Sequence, residues 1–333
     1  MDSHAELGEK FRQFGIDTSC PGFYDDPKFI AAQAGNPTLL EDYAEFVLTR
    51  PCDAAYLSRA RQVTADMAEF LYGKLVADGR LGACIDCSGG MLRMLERKGI
   101  WCYMATGGLR LEFVAETGIP TLRFHPFMPE NSPAVAAHGW LSAPPFHIVD
   151  IAISRQPVDA RANKFLPRYV LAETVRPGTY DRLELIEPDY LQSTMAIAGW
   201  PPTVEEMNAS IPDFQLVAAK FGVVDVPYEQ VTLTYIPCYI TVPDNPLEGI
   251  RSLCLSGKFP GDLYQEYQST RVRTAKAFMA HNPYSHHEVL EVFIETVEEL
   301  HPSVGSTEAH KVRQERDNGR LNCRRPAFCV NPP

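Results

Sequence analysis

The sequence predicts an α+β fold in which N-terminal helices pack on an antiparallel β-sheet. Between residues 53 and 98, apolar side chains recur at spacings of three and four, which is the period of an amphipathic helix. After Gly99 the chain changes to short apolar runs separated by Gly-Gly, Gly-Ile-Pro and Pro-Pro, a pattern typical of strands joined by turns. A helical part followed by a strand-rich part indicates an α+β arrangement.

The helical part is expected to begin with short helices and loops over residues 1–50. A longer helix is predicted from an N-cap at Asp53 to a stop near Asp78, because an aspartate accepts hydrogen bonds from the first free N–H groups. The apolar positions of that helix are Tyr56, Ala60, Val63, Met67, Phe70, Leu71 and Leu75.

The next helix is predicted from Cys84 to Lys98, with Gly99 in the position that follows a helix. Gly89 and Gly90 lie inside it, although a glycine weakens a helix by roughly 1 kcal/mol. Close approach of another backbone or of a substrate would explain them. We therefore expect both glycines at a substrate-binding surface.

Strands are predicted for the runs IWCYMA, LRLEFVA, TLRFHPF, HGWLSA and FHIVDIAI. Gly107-Gly108 is expected to form a turn between the first two runs. Trp140, in the fourth run, is expected either in the core or as a wall of the site.

Residues 161–301 are expected to form a C-terminal α/β extension that completes the sheet and the substrate cleft, and residues 302–333 a polar tail. The run QVTLTYIPCYITV is the clearest strand of the extension. Helices are predicted over residues 203–221, 261–280 and 286–300.

Composition narrows the class of protein. The chain has 333 residues and a formal net charge of -11, which argues against nucleic acid or an anionic membrane as the main partner. No apolar run approaches the roughly 20 residues that span a bilayer, and the polar start lacks the features of a signal peptide. The nine cysteines are an odd number scattered along the chain, which favours free thiols and a cytoplasmic location. The oligomeric state cannot be predicted.

One constellation suggests covalent chemistry. A catalytic thiol needs a lowered pKa, a nearby base and a group that orients the base. Cys84 begins a helix, where free N–H groups favour a thiolate. If HGWLSAPPFHIVD is a hairpin with its tip at Ala143-Pro144-Pro145, His138 and Asp150 face each other directly across the ladder, on one face.

These motifs resemble the transglutaminase-like superfamily, whose core is papain-like. The resemblance covers roughly residues 54–153. It consists of a cysteine fifteen residues before Gly99-Ile100, then His138-Gly139-Trp140, then Asp150. It implies a catalytic core over residues 1–160 and a triad of Cys84 as nucleophile, His138 as base and Asp150 as orienting group.

The resemblance also implies a cysteine hydrolase or acyltransferase, such as a thiol protease, a deamidase or a transamidating enzyme. Its substrate would be a peptide, an amide or an acyl thioester, and the chemistry requires no metal and no cofactor. The Cys84 N–H offers one donor to an oxyanion, and the second donor is not evident from the sequence.

Three alternatives remain open. A catalytically inactive binding protein could use the same fold. The arylamine N-acetyltransferases share the triad order, but their cysteine typically follows Arg-Gly-Gly and here Cys84 follows Leu81-Gly82-Ala83. Cys84 and Cys87 could instead form half of a zinc site or a redox pair, although no second ligand pair follows at a suitable spacing.

Overall fold

The computed structural model describes residues 3–78, 82–127, 135–156, 160–188 and 213–242, and within them the protein is α+β. The helices there are α1 (His4–Gln13), α2 (Pro27–Gln33), α3 (Leu39–Leu48), α4 (Ala54–Asp78), α5 (Cys84–Arg97), α6 (Ala160–Asn163) and α7 (Asp213–Phe221). The strands there are β1 (Tyr103–Phe113), β2 (Leu122–His125), β3 (Val135–Ala136), β4 (His138–Ala143), β5 (Phe146–Asp150), β6 (Val170–Ala172), β7 (Arg176–Pro177), β8 (Val224–Tyr228) and β9 (Val231–Thr241).

The described strands form one sheet in the order β6-β5-β4-β1-β9-β8-β7. Neighbours along this path are antiparallel. β2 pairs with the second half of β1, beyond the part that pairs with β4, and β3 runs parallel to β2. β9 lies beside β1 at the centre, so residues beyond 160 contribute strands to the sheet.

Two predicted helices have the expected boundaries. Asp53 caps α4, its Oδ1 accepting a hydrogen bond from the Tyr56 N–H at 2.7 Å, and α5 begins at Cys84. The predicted helix over 203–221 is seen in its described part as α7, whereas the predictions for 261–280, 286–300 and 302–333 lie outside the described residues. No helix in the described part of the chain combines the length and the apolarity that a bilayer span needs.

Aromatic packing joins α1, α3 and the segment that precedes α2. Phe11, Phe23 and Phe46 meet edge to face, with ring centroids 4.9–5.7 Å apart, a favoured geometry for aromatic pairs. Trp101, just after α5, joins this cluster through Phe46 at 5.7 Å. The Tyr43 hydroxyl donates to the Cys102 carbonyl at 3.2 Å. These contacts fix the N-terminal helices against the junction between α5 and β1.

The predicted turn at Gly107-Gly108 is wrong, because both glycines lie inside the single long strand β1. A Cβ on Gly107 would lie 2.0 Å from the Ile236 carbonyl oxygen, and one on Gly108 would lie 2.5 Å from Leu185 Cδ2. β1 and β9 shift register between Thr106 and Gly107. The glycines therefore allow β1 to pack closely against β9 and Leu185 at this irregularity of the sheet.

The β4–β5 hairpin forms, but its predicted register is wrong. Leu141 pairs with Val149 and Ala143 with Phe146, with a shift between them, so that only Pro144-Pro145 makes the turn. The shift places Asp150 diagonally from His138 rather than directly opposite. A displacement of two positions preserves the face of the sheet on which a side chain lies, so the two side chains still meet.

Candidate active site

Cys84 is the first residue of α5, and its position follows from the local chain. Gly82 adopts a left-handed conformation, with φ of 69°, and its N–H donates to the Arg155 carbonyl at 2.9 Å. Ala83 then stands at the N-cap and offers no capping side chain. The N–H groups of the first turn have no acceptor within the helix, so this end of α5 provides a positive potential around the sulfur.

The start of α5 rests directly on β4. Ser88 Oγ donates to the Gly139 carbonyl at 3.0 Å in the buried interface, and a Cβ on Gly139 would lie 2.8 Å from Ile85 Cδ1. The absence of a side chain at Gly139 therefore allows the close approach. As a result Cys84 Sγ lies 3.8 Å from the Ala137 carbonyl oxygen, beside the first residue of β4, His138.

His138 and Asp150 form a fully buried pair. The distance from His138 Nε2 to Asp150 Oδ2 is 2.7 Å, and neither side chain has exposed surface. Asp150 Oδ1 accepts a hydrogen bond from the Ala152 N–H at 3.0 Å. The predicted pairing of the imidazole with the carboxylate is thus present in the structure, although the register that produces it differs from the predicted one.

The other ring nitrogen, His138 Nδ1, is left for the thiol. Among the described residues Nδ1 has no hydrogen-bond partner of good geometry, while Cys84 and His138 lie close enough to influence each other's protonation. Long or poorly aligned contacts between nucleophile and base are common in unliganded sites. Nε2 is therefore the nitrogen that binds Asp150, and Nδ1 the nitrogen available to accept the thiol proton.

The electrostatics of the site favour an ion pair. Burial raises the pKa of the Cys84 thiol, but the charge of the nearby imidazolium and the Gly139 N–H outweigh burial, so the pKa is lowered. Burial lowers the pKa of His138, but the charges of Asp150 and Cys84 outweigh burial, so the pKa is raised. Opposite shifts of this kind stabilise a thiolate beside an imidazolium.

Tyr235, which the sequence analysis did not identify, also belongs to the site. Its hydroxyl donates to Asp150 Oδ2 at 2.9 Å, so this oxygen accepts hydrogen bonds from two side chains. Tyr235 lies on β9, inside the predicted run QVTLTYIPCYITV, and is fully buried. The alternation of that strand identifies it as a core residue, but no sequence signal assigns a partner to its hydroxyl.

The predicted substrate-binding residues Trp140, Gly89 and Gly90 are all buried. The Trp140 ring stacks near the His138 ring, with centroids 6.3 Å apart and 20° between planes, and Trp140 is only 3% exposed. Gly89 and Gly90 lie within α5 and are buried. A role for these three residues in binding substrate remains a prediction.

The zinc-site alternative can be compared with the side chains near Cys84. Cys87 lies one helical turn after Cys84 and is buried. In the part of the chain that the structure describes, no three His, Cys, Asp or Glu side chains come together as a metal site requires. The cysteines of that part are all free thiols.

Comparisons of the chain with protein-family models, with curated proteins and with solved structures find no match. Three features of the chain itself bear on its function: the position of Cys84 at a helix start, the buried contact between His138 and Asp150, and the strand order that brings them together.

Proposed function

We propose that the protein is a cysteine-dependent acyl-transfer enzyme with a papain-like core of the transglutaminase-like type. One observation carries the proposal: the imidazole of His138, bonded to Asp150 at 2.7 Å, lies near the Cys84 thiol, which contacts the residue before His138 and stands at the start of a helix without a capping side chain. This arrangement contains a nucleophile, a base next to the nucleophile, and a group that orients the base. A cysteine on a helix, followed by a histidine and an aspartate on neighbouring antiparallel strands, is also what the resemblance implies.

The chemistry follows from the two nitrogens of His138. Nδ1 takes the proton of the Cys84 thiol, and the thiolate attacks the acyl carbon of an amide, ester or thioester. The S–C bond forms and the carbonyl oxygen becomes an oxyanion; as the oxyanion collapses, the bond to the leaving group breaks and the imidazolium gives its proton to the leaving amine, alcohol or thiol. Water or an amine then attacks the Cys84 thioester, with His138 acting as base, and releases the acyl product and the thiol.

The start of α5 can stabilise the oxyanion of each step. Ala83 provides no capping side chain, so the Cys84 N–H and its neighbours in the first turn are not occupied by a local cap. Backbone N–H groups at a helix start are suitable donors to developing negative charge. We assign the Cys84 N–H as one donor and leave the second unassigned.

The alternative is a binding protein that has kept the fold without turnover. The burial of the two reactive residues favours it, since Cys84 is 5% exposed and His138 is not exposed at all. An acyl group must reach Cys84 Sγ for any covalent chemistry, whereas a binding protein has no such need. Covalent trapping at Cys84 therefore separates the two functions.

The test uses p-nitrophenyl acetate and intact-mass measurement. We expect one acetyl group on the protein, mapped to Cys84, with release of one equivalent of nitrophenolate before slower turnover. Cys84→Ala should abolish both signals, while Cys87→Ala, which removes a neighbouring buried thiol, should keep them. An added primary amine that accelerates turnover would indicate transfer rather than hydrolysis. No acetylation of Cys84, or equal acetylation of exposed Cys20, would contradict the enzyme proposal.

A further inference from the structure

We infer that Tyr235 is a positioning residue of this site, acting on His138 and Cys84 through the carboxylate of Asp150. The inference rests on the proposed function and extends it by a fourth side chain. Tyr235 Oη and His138 Nε2 bond the same carboxylate oxygen, Oδ2, at 2.9 and 2.7 Å. The Tyr235 hydroxyl therefore helps to determine where the acceptor for the imidazole lies.

The three contacts of Asp150 leave its carboxylate little freedom to rotate. Oδ1 is held by the Ala152 N–H at 3.0 Å, and Oδ2 by His138 and Tyr235. If the Tyr235 hydroxyl were removed, Oδ2 would keep only the imidazole as a partner. Rotation of the carboxylate would then move the imidazole with it. A fully satisfied buried network is the more rigid one.

The sheet is built to let Tyr235 reach this carboxylate. β1 and β4 separate β9 from β5, so the backbones of Tyr235 and Asp150 are three strand positions apart in the sheet while their side-chain oxygens meet at 2.9 Å. The β1 residues that pair with Trp140 and His138 are Ala105 and Gly107, and paired residues share a face. Neither of these two β1 residues carries a side chain larger than a methyl group.

Neighbouring aromatic rings hold the Tyr235 ring in one position. The Tyr235 ring meets the Trp140 ring edge to face, with centroids 5.2 Å apart, and lies 6.3 Å from the His138 ring. Burial, the charge of Asp150 and the hydrogen bond to it raise the pKa of Tyr235 well above its ordinary value. The phenol is therefore a protonated donor throughout the range in which the thiol and the imidazole titrate.

The experiment compares Tyr235→Phe with Tyr43→Phe. Tyr43 is also fully buried, and its hydroxyl makes two hydrogen bonds, to Gly22 and Cys102, away from the triad. The rate of iodoacetamide alkylation at Cys84 is followed across pH by mass spectrometry. A second readout is the rate constant for acetylation by p-nitrophenyl acetate, separated from its KM.

Tyr235→Phe should move the midpoint of the alkylation profile toward that of a free thiol. It should also slow acetylation about tenfold at unchanged KM, since the free energy of a hydrogen bond to a charged group corresponds to a change in rate of about that size. Tyr43→Phe, which only loses stability, should keep the wild-type profile and rate. A Tyr235→Phe protein that is folded and keeps both would overturn the inference.

The proposed function and this inference fail in different ways. If wild-type Cys84 itself titrates as a free thiol, there is no ion pair for Tyr235 to position, and both ideas are wrong. If wild-type Cys84 has a low midpoint that His138→Ala abolishes and Tyr235→Phe leaves unchanged, only the role of Tyr235 is wrong.

Discussion

Replacing Asp150 should destabilise the fold severely, since this carboxylate is an acceptor for three different segments. It accepts hydrogen bonds from His138 on β4, from Tyr235 on β9 and from the Ala152 N–H after β5. A buried donor that loses its acceptor costs about 1–3 kcal/mol. Three donors would cost about 3–9 kcal/mol without relaxation. With partial rearrangement we expect about 3–6 kcal/mol for Asp150→Ala, against a typical total of about 5–15 kcal/mol.

Asp150→Asn provides the sharper comparison because it preserves shape. The amide has one oxygen, which can take the place of Oδ2 or of Oδ1 but not both, so its NH2 group must face a buried donor. We expect a loss of about 2–4 kcal/mol in the free energy of unfolding.

The assay is urea unfolding followed by tryptophan fluorescence, since Trp101 and Trp140 are buried. The control is Asp66→Asn on the exposed side of α4, which should change the unfolding free energy by no more than about 0.5 kcal/mol. If Asp150→Ala costs less than about 1 kcal/mol, the carboxylate does not satisfy three buried donors and the reasoning is refuted.

Two further predictions concern packing and charge. Gly107→Ala should destabilise the protein by at least about 1–3 kcal/mol, because its Cβ would lie 2.0 Å from the Ile236 carbonyl oxygen. The control, Gly73→Ala, lies on α4 where an added Cβ would meet nothing within 4 Å, so it should be neutral or stabilising. Equal effects of the two substitutions in thermal unfolding would contradict the close packing of Gly107 against β9. Arg93→Ala should cost about 3–5 kcal/mol in urea unfolding because it leaves the buried carboxylate of Glu96 without the buried guanidinium that it pairs with. Arg61→Ala, from an exposed pair, should cost at most about 1 kcal/mol. Similar losses for the two variants would show that burial of the ion pair is unimportant.

The elements that hold the nucleophile could be predicted because their signals are local. Helical periodicity and Gly99 define a helix whose first residue is Cys84, and the structure has α5 at Cys84–Arg97. The same-face relation of His138 and Asp150 also follows from strand alternation. That relation survives the observed difference in register, because a displacement of two positions leaves parity unchanged, whereas a displacement of one would reverse it.

The features that could not be predicted depend on contacts between distant segments. Gly107 carries the same local signal in a turn as in a closely packed strand, and only the approach of Ile236 on β9 distinguishes the two. The β4–β5 register depends on an irregularity that neither strand encodes alone. The partner of the Tyr235 hydroxyl is 85 residues away in the sequence.

The most direct test of the central claim is the pH dependence of alkylation at Cys84 in the wild type and in His138→Ala. The pKa of Cys84 is lowered by the imidazolium, so in the wild type the thiolate should form below the pKa of about 8.5 of a free cysteine. In His138→Ala burial remains but the positive charge is gone, so the midpoint should rise above that of a free thiol. Superimposable profiles for the two proteins would contradict the account.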